Sequence, residues 1–209
     1  MKLYDCKTAP SPRRVRIFAA EKGLELQTVA IDLASGEQFK SEFRQINPDC
    51  VVPVLELDDG TRITEVIAIC QYLEEQRPEP TLFGRTAIER AVTLMWNAKV
   101  EQQGFMAVAD AFRNTAKGLK NRAVPGIDQH AQIPELAERG RKRVEIFLDK
   151  LNQQLGDRKF LTGEFFTFAD ISAFVVVDFA ARLKMNIPHN AADLQRWHDE
   201  VSSRPSASA

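Results

Sequence analysis

Val51-Val52-Pro53-Val54-Leu55-Glu56-Leu57 is an apolar run that ends at an Asp59-Gly60 turn, beyond which Arg62-Ile63 resumes the pattern. The run and the turn predict two strands joined in a hairpin. Pro53 cannot donate a hydrogen bond to a sheet, so its position at the opening of a strand has two explanations. Either the strand lies at the edge of the sheet, or the Val52-Pro53 bond is cis and turns the Val52 backbone outward, where a peptide-like ligand can pair with it.

Two further strand patterns and two helix patterns flank this hairpin. Residues 2–5 are strand-like, and a turn-rich segment and an apolar-faced helix ending at Gly23 follow them. Residues 26–32 alternate as a strand does. After the hairpin, residues 65–75 are apolar on one face. This order predicts a thioredoxin-like α/β domain in which a parallel βαβ unit precedes the hairpin.

The second half of the chain is predicted to be all helical. The pattern changes to helix after Arg77-Pro78-Glu79-Pro80, a segment made stiff by its prolines. We therefore expect a thioredoxin-like domain over 1–77, a linker over 78–84 and an all-α domain over 85–209. The helices of the all-α domain are expected at about 85–118, 134–156, 168–184 and 191–203.

Two segments of the second half are expected to be irregular. The break at 118–133 contains Pro125 and Gly126 and is longer than most connections between helices, so it is a candidate for a mobile segment over a site. The small-residue tail 206–209 is expected to be frayed.

The composition excludes several classes of function. The 209 residues are 44% hydrophobic and 27% charged, which is typical of a globular protein with a full core. A net charge of −1 gives no overall field that would attract nucleic acid or an anionic membrane. There is no signal-peptide pattern at the N-terminus and no apolar run of membrane-spanning length. We expect a small-molecule partner and a cytoplasmic location.

The cysteines do not predict a disulfide framework or a metal site. Cys6, Cys50 and Cys70 are odd in number, widely spaced, and without a CxxC pair or neighbouring histidines. We expect three reduced thiols and no metal.

Two predicted helix starts are candidate anion sites. Glu65 begins one helix, where free backbone N–H groups and a carboxylate suit a ligand that has both a carboxylate and an ammonium group. The alternative is that Thr64 caps this helix and Glu65 complements its dipole. The first helix starts within residues 8–14, where a thioredoxin-like fold performs its sulfur chemistry and a thiolate would be stabilised.

Three arginines follow the first helix start, at positions 13, 14 and 16. Acidic residues are spread through the rest of the chain, so a solvated face or ion pairs between the domains explain these arginines better than a nucleic-acid patch.

Three segments of the first half resemble the glutathione transferase family, and the resemblance extends over nearly the whole chain. The segments are 11–23 (Ser-Pro-Arg-Arg-Val-Arg-Ile-Phe-Ala-Ala-Glu-Lys-Gly), 47–55 (Asn-Pro-Asp-Cys-Val-Val-Pro-Val-Leu) and 64–73 (Thr-Glu-Val-Ile-Ala-Ile-Cys-Gln-Tyr-Leu). In the second half, Phe-Phe-Thr-Phe-Ala-Asp at 165–170 resembles the family's buried capping box, with Thr167 as N-cap and Asp170 three residues later. The resemblance implies that this box serves folding rather than catalysis.

The resemblance also implies which residues bind glutathione. Val52 would pair with the cysteinyl part, after a cis bond to Pro53, and Glu65 would bind the γ-glutamyl ammonium group. The γ-glutamyl carboxylate would meet only the backbone N–H of Val66, because the family usually has a serine there. Gln38 matches a position that often contacts the glycyl carboxylate, with Lys40 as a cationic neighbour. Val51 replaces a frequent lysine or glutamine, so this carboxylate would be bound loosely.

The catalytic position departs from the commonest classes of the family. Tyr4 lies inside the first strand, and Ala9 falls where some members have a cysteine. The chain is most similar to a fungal and bacterial branch that lacks the usual side chain and leaves the thiolate to the start of the first helix. Ser11 is our first candidate to donate a hydrogen bond to the glutathione sulfur, unless it merely caps the helix, and Thr8 is the second.

The expected reaction is attack of the glutathione thiolate on an electrophilic carbon of an apolar second substrate. Candidate contacts for this substrate come from one helix of the second domain, where such side chains also commonly belong to the core. They are Trp96, Gln103, Phe105, Met106, Phe112 and Asn114. Asn114-Thr115 would supply a polar group.

The resemblance implies a homodimer, and two other functions stay open on the same fold. A disulfide reductase would need a reactive cysteine at the first helix, and Cys6 lies before it. A non-catalytic binding protein would keep Pro53 and lose glutathione contacts, which Val51 and Val66 favour and Glu65 opposes.

Overall fold

The computed structural model describes all 209 residues and opens with a four-stranded sheet. Its strands are β1 (Lys2–Asp5), β2 (Gln27–Ala30), β3 (Val54–Glu56) and β4 (Arg62–Ile63), in the spatial order β2-β1-β3-β4. β1 and β2 are parallel, whereas β3 is antiparallel to β1 and to β4. The predicted βαβ unit and hairpin are therefore confirmed. Because β3 is an interior strand, the edge-strand explanation for Pro53 is wrong.

Helices cover this sheet and build the second half of the chain. In the first half they are α1 (Pro10–Glu21), α2 (Ser41–Ile46) and α3 (Val66–Gln76). In the second half they are α4 (Ala87–Lys99), α5 (Met106–Arg113), α6 (Pro134–Leu155), α7 (Phe168–Arg182) and α8 (Ala192–Ser202). None of them is both long and apolar enough to cross a membrane. The predicted fold, a thioredoxin-like α/β half followed by an all-α half, is confirmed.

The helix predicted at 85–118 differs from the observed structure in two respects. A π-helical segment, Val100–Phe105, separates α4 from α5, and the helix ends at Arg113. It ends early because the side chains of Asn114 and Thr115 donate hydrogen bonds to the carbonyls of Asp110 and Ala111, at 2.9 and 2.7 Å. Side chains that satisfy the last carbonyls in this way compete with another helical turn.

One continuous core joins the two halves of the chain. A cluster of 38 buried residues extends from Leu3 and Phe18 in the first half to Phe168 and Trp197 in the second. The rings of Phe18 and Phe168 stand edge to face with their centroids 5.9 Å apart. Apolar burial on this scale dominates the folding free energy, so the first half is held against the helices rather than loosely tethered to them.

The predicted capping box is present at the start of α7. Asp170 is fully buried and accepts hydrogen bonds from the Thr167 N–H (3.0 Å) and hydroxyl (2.8 Å), the Leu161 N–H (2.9 Å) and the Trp197 indole N–H (3.0 Å). Burial raises the pKa of this carboxyl group, although the four donors act to lower it. The box therefore joins α7, the turn before it and α8 at one buried point.

The arginines of α1 form ion pairs instead of a free basic patch. Arg13 pairs with Asp178 of α7 at 2.6 Å, and Arg14 pairs with Glu101 of the π-helical segment. Arg16 pairs with Asp5 at the end of β1, at 2.5 Å. Two of the three pairs cross between the halves of the chain, as predicted for interdomain ion pairs.

The C-terminal tail is ordered, so the expectation of a frayed tail is wrong. Residues Pro205–Ser208 form a short 3-10 helix that packs against α1. Arg204 makes a bidentate pair with Glu21 at 2.8 and 2.6 Å, and the Ser206 hydroxyl donates to the same carboxylate. The small residues of this tail were expected to fray, but contacts with Glu21, which is distant in the sequence, hold the tail in place.

Candidate functional site

The sheet topology brings four segments of the first half to one edge. β1 and β2 are parallel, so both end at this edge, where α1 and the segment containing Gln38 begin. β3 is antiparallel to β1 and pairs Val54 with Tyr4, so the Val52-Pro53 peptide lies at the same edge. β4 then returns to it and leads into Glu65. The predicted glutathione contacts therefore share one face of the molecule.

The Val52-Pro53 peptide bond is cis, as predicted. Pro53 is buried and Val52 is half-buried. Neither the N–H nor the C=O of Val52 has a hydrogen-bond partner in the chain. An unpaired donor and acceptor beside a sheet edge have the pattern that an added extended peptide requires.

Glu65 is the N-cap residue of α3 and adopts a positive φ of 62° with ψ of 123°. This conformation is sparsely populated for a residue with a side chain, and such residues concentrate at ligand-binding sites. The exposed Glu65 carboxylate makes no hydrogen bond or ion pair within the chain, and no side chain caps the helix. The alternative in which Thr64 caps α3 is therefore wrong.

The first turn of α3 leaves its backbone N–H groups available. Those of Val66, Ile67 and Ala68 have no partner in the chain. Together with the Glu65 carboxylate they place anion-binding donors beside an acceptor for a cation. This pairing suits a free amino acid group, which has both charges on one carbon.

The first turn of α1 offers fewer donors, because Pro10 and Pro12 have no N–H. Ala9 is the N-cap residue and no side chain caps the helix, so Ser11 does not have the capping role that was its alternative. The Ser11 hydroxyl instead accepts a hydrogen bond from Arg14 Nη2 at 3.4 Å. This contact leaves the Ser11 hydroxyl proton free to donate to another acceptor.

Thr8 and Cys6 occupy the turn that leads into α1. The exposed Thr8 hydroxyl lies 3.5 Å from Cys6 Sγ, and the Thr8 carbonyl accepts a hydrogen bond from Arg182 of α7 at 2.9 Å. Cys6 is half-exposed, whereas Cys50 and Cys70 are buried. Burial raises the pKa of the thiols of Cys50 and Cys70, so neither is suited to react as a thiolate.

Gln38 and Lys40 lie in the segment after β2, as part of the short 3-10 helix Glu37–Phe39 and at its end. Gln38 is 7% exposed, and its side-chain oxygen is buried without a hydrogen-bond partner. The Lys40 ammonium group is exposed and makes no ion pair. A buried polar atom without a partner is uncommon in a folded protein and is a candidate for a ligand contact.

The candidate contacts for a second substrate are in three different environments. Phe105 is 9% exposed and packs under the Arg14 guanidinium, whose carbon lies 4.1 Å from the ring centroid. Met106 is 56% exposed, and the half-buried Phe112 stands edge to face against Phe179. The Asn114 amide donates to the Asp110 carbonyl and accepts from the Ile133 N–H, both at 2.9 Å. Asn114 thus already has two structural hydrogen bonds.

Arg14 of α1 and Glu101 of the π-helical segment were not predicted to be site residues. Arg14 is 4% exposed and joins Ser11, Glu101 and Phe105, and Glu101 reaches it from the π-helical segment. A π-helical turn often marks a functional site, but neither the periodicity nor the composition of 100–105 signals it. The pairing also joins positions 87 residues apart in the chain.

A metal centre has no candidate ligand set, since no group of three or more His, Cys, Asp or Glu side chains lies together. The site described above consists instead of backbone donors, one carboxylate, hydroxyls and cationic side chains.

The chain belongs to the glutathione S-transferase family. Residues 8–76 match the family model of the glutathione S-transferase N-terminal domain, and residues 106–205 match that of the C-terminal domain. The transferase class and the cosubstrate glutathione, both predicted from the resemblance, are confirmed at the level of the family. The matches leave 77–105 outside both models, so the linker at 78–84 stays a prediction.

Fungal and bacterial proteins are among the most similar relatives. Glutathione S-transferase 2 of Saccharomyces cerevisiae is 35% identical over 208 residues, which cover 99% of this chain and 87% of the relative. A glutathione S-transferase domain-containing protein of Marinobacter aquaeolei VT8 superposes with a TM-score of 0.91 at 37% identity, over 99% of both chains. Gtt2 from Saccharomyces cerevisiae superposes with a TM-score of 0.90 at 34% identity, over 99% of this chain and 98% of that one.

Proposed function

We propose that this protein binds glutathione along the sheet edge, stabilises its thiolate at the start of α1 and conjugates it to an apolar electrophile. The observation that supports this most strongly is the meeting of three open groups at one edge: the unpaired Val52 backbone, the uncapped start of α3 and the uncapped start of α1. Each matches a different part of the tripeptide.

In this proposal the Val52 N–H and C=O pair with the cysteinyl backbone, next to the cis bond to Pro53. The Glu65 carboxylate accepts from the γ-glutamyl ammonium group, and the Val66 N–H donates to the γ-glutamyl carboxylate. Gln38 and Lys40 contact the glycyl end.

The sulfur would then lie near the Ser11 hydroxyl, with Thr8 as the second donor. A free thiol with a pKa near 8.5 is about 3% thiolate at pH 7, and a fall of about two units in that pKa makes about three quarters of it thiolate. The Ser11 hydroxyl can supply this stabilisation because Arg14 donates to its oxygen and leaves its proton free. The thiol proton goes to solvent, and the sulfur then forms a C–S bond to the electrophilic carbon as the leaving group departs.

The second substrate would lie between α1 and the helix that contains the π-helical segment. Phe105, Met106 and Phe112 are the proposed apolar contacts, and Met106 is the most exposed of them. Asn114 is the weakest of the predicted contacts because its amide is already hydrogen-bonded on both sides.

Glutathione binding is tested by calorimetry on the native protein and on Glu65→Gln, with Glu75→Gln as the matched control. Glu75 is an exposed carboxylate near the other end of the same helix. Loss of one charged hydrogen bond predicts that Glu65→Gln binds about tenfold more weakly, with Glu75→Gln unchanged. No binding by the native protein at millimolar glutathione would refute the proposal, and binding without conjugation of any electrophile would leave a non-catalytic binding protein.

A glutathione-dependent disulfide reductase is the second candidate, and the half-exposed Cys6 in the turn before α1 is the observation that favours it. The two functions separate on Cys6→Ser. The proposed transferase keeps its conjugation rate in this variant, whereas a reductase that uses Cys6 loses disulfide reduction.

We also propose a homodimer and a cytoplasmic location. Ile88 and Met95, seven residues apart on one face of α4, are 76% and 44% exposed, so a second copy that packs on this face would bury both side chains. Light scattering of Ile88→Asp tests the dimer, which is expected to dissociate. The three free thiols fit a reducing compartment.

A further inference from the structure

The connection between α5 and α6, residues 114–133, has a fixed shape despite its length. The half-buried Arg113 guanidinium donates to the carbonyls of Arg122 (2.7 Å), Ala123 (3.2 Å) and Val124 (3.0 Å). The Gln132 amide donates to the carbonyls of Arg113 and Ala116 at 2.8 and 2.9 Å. These bonds tie the middle and the far end of the connection to the end of α5.

This connection lies against the first half of the chain at two points. The Arg122 guanidinium carbon is 5.6 Å from the centroid of the Phe39 ring, and a Cβ built on Gly126 would lie 3.7 Å from the Asp49 carbonyl oxygen. Phe39 follows Gln38 directly, and Asp49 lies two residues before Val51. The connection therefore spans the end of the sheet edge at which the glycyl part of glutathione is expected.

Arg122 has unused donors at this position. It is half-buried, its side chain makes one hydrogen bond, from Nη2 to the Gly118 carbonyl at 2.9 Å, and it pairs with no carboxylate. Burial, followed by the charge of Arg122, lowers the pKa of Arg113, so the two guanidiniums lie close enough to repel. A bound carboxylate would relieve this repulsion and accept hydrogen bonds from the free N–H groups of Arg122. A guanidinium group can donate two parallel hydrogen bonds to one carboxylate.

We propose that Arg122 binds the glycyl carboxylate of glutathione from the helical half of the molecule. The inference rests on the proposed function. A cation at Arg122 would replace the polar side chain that the family resemblance implies at position 51, where this chain has the apolar Val51. Gln38 and Lys40 then contact the glycyl end from one side and Arg122 from the other, so glutathione binding ties the α5–α6 connection to the first half.

The test compares glutathione with its glycyl monoethyl ester, in which only that carboxylate is neutralised. Calorimetry is done on the native protein, on Arg122→Ala, and on Lys120→Ala, which removes an exposed charge two residues away in the same connection. The native protein and Lys120→Ala are expected to prefer glutathione to the ester by about tenfold or more. Arg122→Ala is expected to bind the ester as the native protein does and glutathione several-fold more weakly, so that the preference shrinks to the part that Gln38 and Lys40 supply.

One control and two outcomes decide whether Arg122 binds the glycyl carboxylate. Equal melting temperatures of the native protein and Arg122→Ala establish that the fold is intact. A preference for glutathione that is undiminished in Arg122→Ala overturns the assignment of Arg122 and leaves the proposed function standing. Failure of the native protein to bind either ligand overturns the proposed function and this inference with it.

Discussion

Replacing Asp170 with alanine tests the account of how the helical half is built. The carboxylate accepts four hydrogen bonds from three residues, all at 2.8 to 3.0 Å and all in the buried interior. Asp170→Ala removes the acceptor of Leu161, Thr167 and Trp197 and puts no polar group in its place. The buried donors then have no partner unless water enters.

The expected magnitude follows from that inventory. Each orphaned buried donor costs about 1–3 kcal/mol, while removal of a buried charge without a cationic partner returns several kcal/mol of desolvation free energy. The net expectation is a loss of about 4 kcal/mol from the free energy of unfolding, a large share of the total of a typical domain. Asp170→Asn keeps one acceptor oxygen but turns an amide N–H towards donors, so we expect a smaller loss of about 2 kcal/mol.

Urea unfolding followed by tryptophan fluorescence measures these losses, since the Trp197 indole is one of the donors. Asp157→Ala, an exposed aspartate without partners, is the control and should stay within about 0.5 kcal/mol of the native protein. A loss below about 1 kcal/mol in Asp170→Ala would refute the reasoning, because the four donors would then have found other partners.

Two further predictions concern charged side chains at the end of α1 and in α7 that form buried or half-buried ion pairs. Lys22→Ala should reduce the free energy of unfolding by about 3 kcal/mol in a denaturant titration. The reason is that the fully buried Lys22 ammonium group pairs with Glu74 and donates to the carbonyls of Pro78 and Pro80. An unchanged unfolding midpoint would contradict the pairing. Burial acts to raise the pKa of Asp178, but hydrogen bonds from His198 and Arg13 outweigh it and hold that pKa below its usual range. The stability that this pKa shift supplies is present above about pH 4 and is lost as the pH falls through the folded-state pKa. Asp178→Asn should therefore reduce the dependence of the free energy of unfolding on pH in the acid range. An unchanged pH dependence would be inconsistent with this assignment.

Local sequence patterns were sufficient for most of the fold. Alternation and turn residues predicted the hairpin of β3 and β4. Pro53 left an edge strand and a cis bond as alternatives, and the resemblance to the family favoured the cis bond that the structure has. The motif ending at Asp170 predicted the buried box through its resemblance to that of the family. Each of these features is determined by residues close together in the chain, which is why the sequence alone reveals them.

The features that were missed depend on distant partners. The Arg14–Glu101 pair and the order of the tail through Glu21 join positions that no local pattern connects. The π-helical segment also lies in a continuous apolar-faced run, where one extra residue in a turn leaves no compositional mark. The early end of α5 follows from Asn114, whose side chain donates back to the helix and also accepts a hydrogen bond from the Ile133 N–H, a partner that no local pattern indicates.

The stabilisation of a glutathione thiolate at the start of α1 is the central claim, and the ultraviolet absorbance of the bound thiolate tests it most directly. The measurement is a pH titration of the complex for the native protein, Ser11→Ala and Thr8→Val. The account predicts a thiol pKa about two units below that of free glutathione in the native complex, and a higher pKa in Ser11→Ala than in Thr8→Val. A lowered pKa that persists in Ser11→Ala would assign the stabilisation to the start of α1 rather than to Ser11. A bound thiol that titrates like free glutathione in the native protein would contradict the claim itself.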